Sequence, residues 1–166
     1  MRARSGAIIT GVDAVLIDDP SLTVRPEVWT DQNEWPEVLN EPIQPLRVIL
    51  DSQLRTPVTA KMLTLPGNTL IVCATENPQR QAALEATGAE VLCLPDKEKA
   101  PKVDLCTLLV ELARREVNEV LVETGATTAG AFVQQGLVDE WVLYKAPTLM
   151  GSCLLDPTDH AKEKTQ

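Results

Sequence analysis

The sequence predicts an α/β fold with a mostly parallel central sheet, and three observations lead there. From residue 46 onward, β-rich apolar runs of about five residues alternate with helix-patterned stretches, as strands joined through helices do. Aromatic residues are scarce: Trp29, Trp35, Trp141, Tyr144 and Phe132 are the whole set. The core must then be made of Leu, Val, Ile and Ala, the side chains of a parallel sheet buried on both faces. Finally, 166 residues give one domain enough chain for a sizeable core and leave little for a second.

Gly6 to Thr10 reads as a short buried strand closed by Gly11. Val12 to Ile17, apolar at 12, 15 and 16, fits a turn or two of helix stopped by Asp18-Asp19-Pro20. Residues 21–45 carry Pro26, Pro36, Pro42 and Pro45 among acidic and polar residues and are expected to be mostly loop. A loop of that length inside a compact domain usually has a function. Leu46 to Leu50 and Thr69 to Cys73 read as strands. Pro78 to Thr87 reads as a helix with proline in its first turn and Gly88 at its end. Glu90 to Leu94 is the next strand, and Leu105 to Arg115 an amphipathic helix with Leu105, Leu108, Leu109 and Leu112 on one face. Glu119 to Glu123 is strand-like and feeds directly into a glycine-containing helix start. Val138 to Tyr144 is expected to close the pattern as a last strand, and the tail from His160 to be unanchored.

Composition excludes several functions. A net charge of −9 argues against a nucleic-acid backbone as partner, although a few arginines and backbone amides can still hold a small anion. The four cysteines, Cys73, Cys93, Cys106 and Cys153, contain no C-x-x-C pair and read as small buried hydrophobes in a reducing compartment. With His160 as the single histidine, no zinc site is expected. No apolar stretch approaches the roughly 20 residues of a spanning helix, and residues 1–6 lack the apolar core of a signal peptide. A cytoplasmic protein with no membrane partner is expected.

Three segments can carry chemistry. In Leu121-Val122-Glu123-Thr124-Gly125-Ala126-Thr127-Thr128-Ala129-Gly130-Ala131 a strand ends, a glycine turns the chain, and small residues open a helix. Such a helix start presents free N–H groups to a phosphate, with Thr127 and Thr128 adding hydroxyls, or it is an ordinary capped helix packed closely on a strand. The spacing is not G-x-G-x-x-G, so it gives no Rossmann fingerprint. Glu123, at the carboxyl end of its strand, either accepts hydrogen bonds from a ligand or is a solvated strand-end acid. In Asp18-Asp19-Pro20-Ser21-Leu22-Thr23-Val24-Arg25 a proline turn carries both signs of charge. There Arg25, with Arg2 and Arg4, either clamps a phosphate or lies on a polar surface turn. Asp51-Ser52 is a third strand terminus, ligand-facing or commonplace.

Together these segments resemble the reductase half of the bifunctional riboflavin-biosynthesis deaminase–reductase. The residues that carry the resemblance are Arg2 to Gly11, Val15 to Arg25, Leu46 to Ser52, Val122 to Ala131, Gly136 to Glu140 and Ala146-Pro147, across residues 1–152. The resemblance implies a dihydrofolate-reductase-like three-layer fold and NADPH as cofactor. It implies reduction of 5-amino-6-(5-phosphoribosylamino)uracil to the phosphoribitylamino product. Carried over by position, Arg2, Leu22, Arg25 and Glu123 are substrate contacts. Ala14, Asp18, Ser52 and the run Gly125, Ala126, Thr127, Thr128, Ala129, Gly130 and Ala131 are cofactor contacts. No general acid or base is implied, and no metal.

This chain departs from the family pattern in three ways. Position 14 is Ala where the family usually shows Thr, which leaves only a backbone contact. The chain begins inside the domain, so the first strand and helix and the upstream zinc deaminase domain are expected in a longer product. After Ser152 the family's continuation gives way to Cys153-Leu154-Leu155-Asp156-Pro157, so residues 153–166 are expected to form an atypical tail without the closing strands. Exposed sheet edges would favour a homodimer. Two alternatives stand beside the reductase reading: a non-catalytic fragment acting by association only, and a dihydrofolate-reductase-like reductase of another pterin or pyrimidine.

Overall fold

The structure, a computed structural model, describes residues 1–25, 43–98 and 101–144. Five strands form one sheet: β1 (Ala7–Gly11), β2 (Leu46–Leu50), β3 (Thr69–Cys73), β4 (Glu90–Cys93) and β5 (Val120–Val122). Their order is β4-β3-β2-β1-β5, and every pairing is parallel. Among the described residues four α-helices accompany the sheet: α1 (Val12–Asp18), α2 (Pro78–Glu85), α3 (Leu105–Arg114) and α4 (Ala126–Gln134). The three-layer α/β architecture with a parallel sheet matches the expectation from sequence.

Side-chain alternation explains the layers. Along β1 and β2, Ile8 and Ile49 point to one face, where they meet Val12 and Val15 of α1 and Leu84 of α2. Ala7, Ile9 and Val48 point to the other, where Leu105, Leu108 and Leu112 of α3 and Phe132 of α4 cover them. Covered on both sides, β3 is buried at all five positions, which is why its sequence reads as an unbroken apolar run. The single buried charge within the strands is Arg47. Its Nη2 donates to the carbonyls of Leu65 and Gly67, and Gly67 adopts a φ of 105°. Among the described residues Arg47 Nε and Nη1 meet no acceptor, and burial lowers its pKa.

β2 and β3 match the expected ranges residue for residue, while α2, α3 and β4 are shorter by one or two residues at the C-terminal end and β5 by one residue at each end. A short 3-10 turn, Lys61–Thr64, was not foreseen, and its Met62 is fully buried. The expected strand over Val138 to Tyr144 is not one. Leu137 and Val138 pack against the α3–α4 layer, but from Trp141 to Tyr144 the side chains are exposed, Leu143 by 88%. A strand needs a ladder partner, and among the described residues this segment has none; its apolar residues reported β-propensity alone.

The cysteines also depart from expectation. Cys73 is buried, Cys93 half-buried and Cys106 exposed, all three as free thiols. Cys106 follows inward-facing Leu105 by one position, about 100° round the helix, and so faces solvent. Cys153, the expected tail 153–166 and the loop residues 26–42 lie outside the described residues. Among the described residues no helix is long and apolar enough to cross a membrane, and no group of three potential metal ligands occurs.

Candidate functional site

The strand order places a crevice. β1 leads through β2 and β3 to β4 in one direction, and the chain then returns to set β5 on the opposite side of β1. Leaving these two neighbours, α1 turns to one face of the sheet and α4 to the other. Ligands of open α/β sheets bind at the carboxyl ends of strands where the order reverses in this way.

A cleft of about 300 Å³ opens there. It is lined by Gly11 at the end of β1, Thr127, Thr128 and Ala131 of α4, Ser52 and Arg55 after β2, and Lys102 after β4. The close approach of β1 to α4 depends on Gly11. A Cβ built there would lie 3.2 Å from Thr128 Oγ1 and 3.4 Å from Thr124 Oγ1.

Helix capping separates the two kinds of helix end. α2 and α3 cap themselves: Asn77 accepts from the Arg80 N–H at 3.1 Å, and Asp104 from the Thr107 N–H at 2.9 Å. At α4 the cap is Gly125, which brings no side-chain acceptor. Its first-turn amides are therefore left for another acceptor, with the positive end of the helix dipole behind them. An uncapped helix start, small residues and an open cleft at a switch point fit the diphosphate of a dinucleotide.

The loop carrying Ser52 and Arg55 is fixed from beneath. Asp51, fully buried, turns away from the cleft and accepts from Thr56 N at 2.6 Å and from Thr56 Oγ1 at 2.7 Å. Arg80 of α2 donates to the carbonyls of Leu54 and Thr56. Leu54 takes a left-handed φ of 56° so that its side chain enters the core. The Asp51-Ser52 pair thus divides its roles: Asp51 ties the loop and Ser52 faces the cleft.

A second constellation lies at the end of β5. Glu123, whose N–H continues the β-ladder to the Ile9 carbonyl, receives Arg2 in a two-pronged pair, Nε to Oε1 at 2.8 Å and Nη2 to Oε2 at 2.5 Å. Arg2 Nη1 also donates to the Thr23 carbonyl at 3.2 Å. The Glu123 hydrogen bond raises the Arg2 pKa against the opposing effect of burial.

The expected site residues therefore separate. Ser52, Thr127, Thr128 and Ala131 share the cleft, with Gly125 and Ala126 at the helix start beside it. Arg2 and Glu123 pair with each other, and Arg25 is exposed. Leu22, at a φ of 49°, is buried in the core beside α1, so a ligand could meet only its backbone. Ala14 and Asp18 lie along α1 and do not line the cleft, and neither do Ala129 and Gly130. Sequence reasoning missed Arg55 and Lys102. No motif marks them, and they reach the cleft only through the fold.

The family model for the RibD C-terminal domain matches residues 1–162. This chain belongs to that family. It is 37% identical over 155 residues to the riboflavin biosynthesis protein RibD of Escherichia coli K12, covering 92% of this chain and 40% of that protein. It is 34% identical over 151 residues to the 2,5-diamino-6-ribosylamino-4(3H)-pyrimidinone 5′-phosphate reductase of Archaeoglobus fulgidus, covering 91% and 66%. Among solved structures, RibD of Acinetobacter baumannii superposes with a TM-score of 0.70 at 38% identity, covering 91% of this chain and 37% of that one. The dihydrofolate-reductase-like fold expected from the resemblance agrees with this likeness. The chain thus spans about two-fifths of the length of the RibD relatives that it matches.

Proposed function

We propose that this RibD C-terminal domain is the reductase of a riboflavin-forming enzyme, converting 5-amino-6-(5-phosphoribosylamino)uracil to its phosphoribitylamino product with NADPH. The observation that carries the reading is the glycine-capped start of α4 opening onto the switch-point cleft. The name of the Archaeoglobus relative, a ribosylamino-pyrimidinone phosphate reductase, supports the substrate class.

When bound, a nicotinamide cofactor would supply the hydride that ribose C1 accepts as its bond to the ring oxygen breaks and that oxygen takes up a proton. The protein's share is placement. Amides of Ala126, Thr127 and Thr128 hold the diphosphate, with Ser52 adding a hydroxyl across the cleft. Glu123 uses one lone pair on each oxygen for Arg2 and keeps others for the N–H and O–H groups of the pyrimidine. Arg2 aims the carboxylate, and exposed Arg25 is available to the substrate phosphate. In a longer product an upstream deaminase would supply the substrate, and the enzyme would work in the cytoplasm.

A second reading, binding without turnover, draws on Arg2, whose guanidinium is already engaged by Glu123 and Thr23. Incubating the chain with NADPH and the deaminated pyrimidine phosphate separates the two. Loss of reduced-nicotinamide absorbance that depends on the pyrimidine supports the reductase; cofactor binding with no turnover leaves the fold with a binding role.

A further inference from the structure

Four charged side chains border the cleft: Asp13, Arg55, Asp96 and Lys102. Arg55 is partly committed, its Nη2 donating to Asp13 Oδ1 at 2.7 Å, with both side chains open to solvent. Asp96 Oδ1 accepts the Glu98 N–H at 2.8 Å. Lys102 enters no ion pair among the described residues.

The backbone around Lys102 is nevertheless held. Its carbonyl accepts the Asp96 N–H at 2.8 Å, Pro95 bridges Val103, and the Asp104 N–H donates to Leu94. Sheet order sets the distance to be spanned. Thr127 and Thr128 enter from β5, at one side of β1, and Arg55 and Lys102 enter from β2 and β4, toward the other. A ligand with its diphosphate on α4 that follows the cleft extends its adenosine half toward these two cations. Asp13 is turned to Arg55, and Asp96 accepts the Glu98 N–H. That leaves Lys102 as a cleft cation with no ion-pair partner among the described residues, a charge that an added phosphate would match.

We infer that Lys102, assisted by Arg55, binds the 2′-phosphate of the adenosine ribose and makes the cleft select the phosphorylated dinucleotide over the unphosphorylated one. Lys102 acts as a point charge on a flexible stem and Arg55 as a planar donor already oriented by Asp13. The inference rests on the cleft being the dinucleotide site, and its test separates the two claims.

Calorimetric titration of the full chain with adenosine 2′,5′-bisphosphate and with adenosine 5′-monophosphate reads the preference without turnover. The wild type is expected to bind the bisphosphate about tenfold more tightly, as one charge-assisted contact allows. Lys102→Gln should abolish most of that difference while leaving the monophosphate affinity unchanged. Lys102→Arg should restore it, and Arg55→Gln should reduce it in part. Equal affinities in the wild type, or a preference unaffected by Lys102→Gln, overturn the assignment of the phosphate while leaving the cleft as a nucleotide site. No binding of either nucleotide overturns both claims.

Discussion

Arg2 reaches across the fold to grip both oxygens of Glu123, joining the first turn of the chain to the carboxyl end of β5. Because Arg2 also donates to Thr23, the same side chain sets the position of the loop that carries Leu22 and Arg25. Three segments proposed to meet substrate are thereby assembled by one guanidinium.

A double-mutant cycle measures that coupling. Arg2→Ala and Glu123→Ala are each expected to destabilise the fold, with an interaction energy of roughly 1 kcal/mol in urea unfolding, as a partly exposed two-pronged pair allows. Additive losses would show that the pair is an incidental surface contact. In turnover, Glu123→Gln should raise the pyrimidine KM while leaving cofactor affinity unchanged.

Two glycines beside the same helix start should behave oppositely. At Gly11 a methyl group would press on Thr128 and Thr124, whereas at Gly125 it would meet nothing within 4 Å. Gly11→Ala is expected to weaken NADPH about tenfold by displacing the first turn of α4, an effect of the order of one lost charged hydrogen bond. Gly125→Ala should change affinity by less than about twofold, its extended backbone tolerating alanine at a modest capping cost. Fluorescence titration checks both, and equal effects would contradict the close packing of Gly11 on Thr128 and Thr124.

These outcomes show what could and could not be read from residue order. β3 was legible because a strand buried on both faces is a short apolar run, and β2 because Leu, Val and Ile surround its one charge, Arg47. The α4 start was legible as a helix start, because small residues follow the glycine that turns the chain out of β5. Residue order leaves its use open between a phosphate site and close packing on a strand. Val138 to Tyr144 was misread because apolar residues at that spacing do not say whether a neighbouring strand exists to pair with them. Arg55 and Lys102 were not legible at all. They are 47 residues apart in sequence and line one cleft only after β2 and β4 are ordered in the same sheet. Asp51 was half-legible: its place at a strand end was right, but its buried partnership with Thr56 depends on the loop's geometry.

Thiol chemistry supplies an independent test of the packing. Burial, reinforced by a contact with Cys93, pushes the Cys73 thiol from 9.0 up to about 12. In the unfolded chain the same thiol ionises near its ordinary value, so the unfolded state loses its proton first. The contribution is intact below pH 9.0 and is lost as pH rises toward about 12. Cys73→Ala should flatten the fall in stability across that window, although the smaller side chain lowers stability at neutral pH. A disulfide-exchange reagent should label exposed Cys106 in the native protein and reach Cys73 only after unfolding.

Hydrogen–deuterium exchange with and without NADPH tests the central claim most directly. NADPH should slow exchange at the amides of Ala126, Thr127 and Thr128, with smaller protection around Gly11 and Ser52. Saturable NADPH binding that leaves those three amides exchanging at their free rate would contradict the assignment of the α4 start as the diphosphate site.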